Sequence, residues 1–207
     1  MVANSNSGVC SGADPTQQPA NAVLPDKAEL WRWSLLFYPD VKNTCLAWQD
    51  QYGLNVNLLL LLLYLQRQQL LCSSEQIELL HQSLTAQQQF TLPLRQLRRR
   101  LPASLNEQAA QQMKQALLQA ELCSEQLEQQ QLLATLALCA LMPADPAVPV
   151  VAAIPASTAL AATTAVSLTQ LYLQWLGAEM SPALLQQIFD LDQKAAQLHF
   201  QAGKSLI

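Results

Sequence analysis

From Asp26 onward the apolar positions of this chain recur at helical spacing. Asp26-Lys27-Ala28-Glu29 reads as a capping box, in which the Asp26 carboxylate takes a free backbone N–H and Glu29 reaches back. It opens a short aromatic helix carrying Leu30, Trp31, Trp33, Leu35, Leu36 and Phe37, expected to end before Pro39. A second helix is expected from Asp40 to Tyr52, with Val41, Cys45, Trp48 and Tyr52 on one face and Gly53 as its left-handed cap. A third starts at Asn55, runs through the six leucines Leu58 to Leu63, and reaches about Leu71. A helix apolar on nearly every side must be surrounded by other helices or by lipid. This run is far shorter than the roughly 18 to 20 residues that span a bilayer, so the pattern predicts an all-α, soluble helical bundle around a mostly buried, leucine-rich central helix.

The pattern continues with a helix capped by Ser73 or Ser74, bearing Ile77, Leu80, His81 and Leu84 on one face. Pro93 lacks an N–H and disfavours helix at the residue before it, which predicts a break there and a further piece from Leu94 to Leu101. Ser104-Leu105-Asn106-Glu107 reads as a second capping box, opening a long helix through Met113, Leu117, Leu122 and Leu127 towards Leu141. Four prolines between Met142 and Ser157 mark a linker. Beyond it, Ala159 to Leu176 reads as a helix closed by Gly177, and Ser181-Pro182 opens a last one to about Phe200. The organisation is thus a disordered tail over 1–25, a bundle core over 26–141, a linker over 142–157, and a helical pair over 158–203 that packs on the core or on a partner.

Composition adds a surface property. Charged residues are 13% of the chain while hydrophobic ones are 51%, and glutamine fills the gap in runs such as Gln87-Gln88-Gln89 and Gln129-Gln130-Gln131. The helices keep their propensity but lose much of the repulsion that keeps proteins apart, which favours self-association or a protein partner. A net charge of -4 argues against broad nucleic-acid binding, which depends on neutralising phosphates. Cys10, Cys45, Cys72, Cys123 and Cys139 are odd in number and lack paired short spacing. Most fall in apolar helical patterns, where a free thiol behaves as a small core residue, and a reducing cytoplasm fits. The first residues carry neither the basic patch nor the apolar core of a signal peptide.

One set of residues resembles a known family. Trp31-Arg32-Trp33-Ser34-Leu35, then Cys45-Leu46, Gln49-Asp50 and Gly53-Leu54-Asn55-Val56-Asn57-Leu58-Leu59-Leu60, and later Pro93-Leu94-Arg95 with Arg98-Arg99, are similar to a family of small proteobacterial proteins classed as a domain of unknown function. The resemblance covers Leu30 to Leu101 well and the following long helix loosely. It implies no activity, ligand or catalytic residue.

The candidate chemistry is sparse. Asp50 sits in the last turn of its helix, where a carboxylate meets the negative end of the dipole. It is read as a corner clamp, on the backbone of the next helix or on an arginine of the 95–99 stretch, in preference to a general base. Asn55 and Asn57 near a helix start are read as satisfying free backbone donors. Trp31, Trp33 and Tyr64 are core, or line an apolar site. Arg95, Arg98 and Arg99 share one helical face, extended by Arg100, and form the best candidate site for an anion or an acidic partner.

His81 and His199 have no Cys, Asp or Glu at zinc-ligand spacing, and neither a phosphate loop nor a nucleophile elbow occurs. No cofactor or metal is implied. The turn at Gly53 superficially suggests a helix-turn-helix, but its second helix would offer leucines where base edges need donors and acceptors. The reading favoured by the sequence is a non-enzymatic interaction or regulatory module. The alternative is a binder of a small apolar or amphipathic ligand within the bundle, and an enzyme ranks third.

Overall fold

The computed structural model describes residues 24–100, 106–139, 141–143 and 166–198. Within them the chain forms α1 (Lys27–Tyr52), α2 (Val56–Arg67), β1 (Leu70–Leu71), α3 (Ser74–Ser83), α4 (Thr85–Arg99), α5 (Glu107–Leu136), β2 (Met142–Pro143), α6 (Leu168–Trp175) and α7 (Pro182–Gln197). The fold is all-α, and none of the described helices is long and apolar enough to cross a membrane. The tail up to residue 23, Ser104 of the expected capping box, the linker beyond Pro143, the stretch 159–165, and His199 and Phe200 lie outside the described residues.

The leucine-rich helix is central. Leu58 to Leu65 of α2 are all buried, enclosed by α1, α5, α6 and α7. Its start is fixed by Asn55, whose side chain accepts from the Leu58 N–H, and Gly53 ends α1 at φ 71°. Gly177 at φ 82° and the Ser181 cap before Pro182 likewise mark the turn between α6 and α7. The C-terminal pair packs on α2 in the same core, through Leu168, Tyr172, Leu173, Leu184, Ile188 and Leu191.

Two expected breaks are absent. α1 runs unbroken through Pro39 and α4 through Pro93. In both cases the carbonyl deprived of its donor, that of Leu35 or Gln89, belongs to an exposed residue, so water can take the lost hydrogen bond. The opposite face of α1 carries Leu30, Trp33, Phe37, Val41, Cys45 and Trp48 continuously into the core, and this burial outweighs the proline. The break that does occur lies at Leu84, between α3 and α4, with no proline or glycine to announce it. α2 stops four residues before the expected Leu71, because Gln69 turns left-handed at φ 57° and Leu70–Leu71 pair antiparallel with Met142–Pro143. α5 is capped by Asn106, which accepts from the Ala109 N–H, and ends at Leu136 rather than near Leu141.

Candidate functional site

α4 and α5 pack side by side along a polar seam made by one stripe of α5: Glu121, Ser124, Glu125, Glu128 and Gln129. Glu128 is 2% exposed. Its carboxylate accepts from Asn55 Nδ2 at 3.2 Å, from Asn57 Nδ2 at 2.8 Å and from the Thr91 hydroxyl at 2.6 Å. Thr91 Oγ1 also lies 2.7 Å from Ser124 Oγ. Three helices thus meet on one buried carboxylate beside the amino terminus of α2, where the helix dipole favours negative charge.

Toward solvent the seam is ionic. Arg98 bonds buried Glu121 through Nε at 2.5 Å and NH2 at 3.1 Å, and Arg95 reaches Glu125 at 2.5 Å. The hydrogen bond to Glu121 raises the affinity of Arg98 for its proton above the ordinary arginine value. Arg99 and Arg100 are exposed and form no ion pair among the described residues. The arginine face is therefore split: Arg95 and Arg98 hold α5, whereas Arg99 and Arg100 face solvent.

Gln129, also 2% exposed, closes the inner end of this region. Its Nε2 donates to Ser34 Oγ at 2.9 Å and to Asn57 Oδ1 at 3.2 Å, while its Oε1 is buried without a partner. An unsatisfied buried amide oxygen costs about 1–3 kcal/mol.

Between α1, α2, α4 and α5 lies a cavity of about 380 Å³. Trp31, Leu35, Leu46, Val56, Leu60, Leu118 and Leu122 supply its apolar wall, and Ser34, Asn57 and Gln129 supply polar groups. Lys42, Arg95, Arg98 and Arg99 also line it, four basic side chains against the two acidic ones, Glu121 and Glu125. A much smaller pocket beside it is lined by Gln49, Asn55, Thr91 and Glu128.

A second polar cluster lies on the far side of α2. The Tyr172 hydroxyl accepts from the Asn55 N–H at 3.0 Å and lies 2.9 Å from His81 Nδ1. The hydroxyl can donate to Nδ1 or accept a second hydrogen bond from it, according to the tautomer of the ring. Burial lowers the His81 pKa and raises that of Tyr172. Nearby, buried Asp192 accepts from the Thr169 hydroxyl at 2.7 Å, and desolvation raises its pKa.

The other candidate residues separate. Trp31 lines the cavity, but Trp33 stacks on Phe37 at 4.8 Å in the core, with Tyr64 edge-on at 5.4 Å. Burial and a hydrogen bond to Glu29 push the Tyr64 hydroxyl up to about 12. Asn55 caps α2 and, with Asn57, binds Glu128. Asp50 is exposed and makes no hydrogen bond or ion pair among the described residues, and Arg95, one of the arginines expected to match it, pairs with Glu125 instead. Sequence reasoning passed over Lys42, Thr91, Glu121, Glu125, Glu128 and Gln129. The signal was available: acids at 121, 125 and 128 keep helical spacing and can match arginines at 95 and 98 in an antiparallel neighbour.

Fold and cavity together define an all-α protein that carries, among the described residues, an amphipathic recess built on a buried polar seam. Its membership is specific: the family described as Protein of unknown function (DUF2390) matches residues 29–132, and the chain belongs to that family. Every residue lining the cavity falls within the matched segment, whereas α6 and α7 lie beyond it. No curated protein and no solved structure matches the chain.

Proposed function

We propose that this protein is a binding module for a small amphipathic molecule held between α1, α2, α4 and α5, acting by binding and not by catalysis. The observation that supports this reading is the 380 Å³ cavity, with its leucine wall and basic lining in a chain of net charge -4. Small-molecule sites are mostly apolar recesses of about 300–1,000 Å³ with a few placed polar groups. The Thr91 hydroxyl that donates to Glu128, and Ser124 Oγ beside it, are buried, which suits them to tying the seam together. Cytoplasmic residence belongs to the same proposal. Burial pushes the Cys45 and Cys72 thiols up to about 12, which suits them to inert packing in a reducing compartment.

Native mass spectrometry of the full chain, purified from cells without denaturant, tests the reading. The parent is expected to carry a small amphiphile that unfolding releases. Leu35→Trp with Leu118→Trp, both at half-exposed positions on the wall, should fill the recess and abolish the adduct while the protein stays folded. A parent that carries nothing, and whose melting temperature no amphiphile raises, refutes the proposal.

A second reading, a protein-docking module, draws on a different surface. Phe90 is 66% and Leu97 54% exposed on α4, and Met113 is 48% exposed on the first half of α5. Phe90→Ser with Leu97→Ser should then abolish complex formation in the cell and leave the adduct untouched.

A further inference from the structure

We propose that the molecule taken by the cavity is an acyl-chain carboxylic acid that also carries an N–H or O–H donor. This rests on the binding reading above and adds the chemistry of the head group. Two independent observations carry it.

The first is the orientation of Gln129. Glu128 as a carboxylate only accepts, so Asn57 must turn its Nδ2 towards it, at 2.8 Å. That turn leaves Asn57 Oδ1 facing Gln129, which must answer with Nε2, at 3.2 Å. The same Nε2 reaches Ser34 Oγ at 2.9 Å. Gln129 Oε1 is thereby left as a buried acceptor without a partner, on a residue that lines the cavity. A chain of fixed donors and acceptors ends at this oxygen, and what completes it must donate.

The second is charge. Of the four basic residues lining the cavity, Arg95 and Arg98 are matched by Glu125 and Glu121. Lys42 and Arg99 form no ion pair among the described residues and are exposed. Two cations beside an apolar wall suit one anionic group at the solvent end of the ligand. A carboxylate meets that requirement, and its chain lies against Leu60 and Leu122.

Isothermal titration of the full chain with three probes separates the terms. N-octanoylglycine has the acid, the N–H and the chain, N-octanoylsarcosine lacks the N–H, and the methyl ester of N-octanoylglycine lacks the charge. N-octanoylglycine should bind, and each of the other two should bind about tenfold more weakly, the usual order for losing one buried or charge-assisted hydrogen bond. Lys42→Gln with Arg99→Gln should weaken the acid about tenfold and leave the ester unchanged. If that variant fails to fold, the three probes decide alone. Equal binding of all three overturns this inference and leaves the amphiphile reading standing. Binding of none, together with no effect of Leu35→Trp and Leu118→Trp on any adduct, overturns both.

Discussion

Glu128 ties three helices with one carboxylate, and the polar groups around it are fixed by its inability to donate. Glu128→Gln keeps the shape but points an amide N–H at donors that already face inward. The expected cost is about 1–3 kcal/mol, read from urea denaturation. The arginines divide along the same logic. Arg98→Gln leaves Glu121, 3% exposed, without its cation, and should cost about 1–3 kcal/mol, less than for a wholly buried pair because the guanidinium is partly in water. Arg99→Gln should move stability by less than about 0.5 kcal/mol. Measuring both melting curves distinguishes structural from surface arginines within the set that the sequence places on one helical face. His81 and Asp192 set the pH response. The His81 pKa is lowered from 6.5, so its contribution is present above 6.5 and is lost as pH falls through the lower folded value. The Asp192 pKa is raised from 3.8, so its contribution is present below 3.8 and is lost as pH rises through the higher folded value. His81→Asn, whose side-chain amide can hydrogen-bond the Tyr172 hydroxyl in place of Nδ1 without titrating, should flatten the acid side of a plot of melting temperature against pH, and Asp192→Asn should raise its neutral side.

At the scale of elements, helix boundaries follow the buried face more than local propensity. Pro39 and Pro93 stand on solvent-facing turns, where the orphaned carbonyl is hydrated and the cost is limited to the intrinsic penalty. Pro39→Ala should therefore stabilise α1 by about 1–2 kcal/mol, the roughly 3 kcal/mol propensity gain being offset in part by a looser unfolded chain. A thermal melt checks the sign: destabilisation would mean that the ring packs against something. The caps at Asp26, Asn55, Ser73 and Ser181 were legible because a side-chain oxygen two or three residues before a free N–H is a local device. The break at Leu84 and the left-handed Gln69 were not, because each is imposed by where the flanking apolar residues must be buried.

At the scale of the molecule, α2 is covered on one side by α1 and α5 and on the other by α6 and α7. The C-terminal pair lies outside the family match yet shares its core, and Trp48 Nε1 donates to Gln187 Oε1 at 3.2 Å to join α1 to α7. Unfolding should then be one cooperative transition. Leu61→Ala and Ile188→Ala, both in the buried cluster, should each lower it by about 2–5 kcal/mol, with near- and far-ultraviolet circular dichroism melting together. Two separated transitions in Ile188→Ala would show that the pair folds apart from the bundle.

The sequence by itself determined the fold class, the central place of the leucine helix, its Asn55 cap and the Gly53 turn, because periodicity, capping and a run apolar on every side act over a few residues. It also placed the arginines on one face. Only the tertiary structure decided which of them meet an acid, since that depends on α4 lying antiparallel to α5 at a register no local pattern encodes. The same holds for Gln129: its amide is ordinary in a glutamine-rich chain, and its oxygen is left without a partner only when Glu128, Asn57 and Ser34 from three helices converge on it.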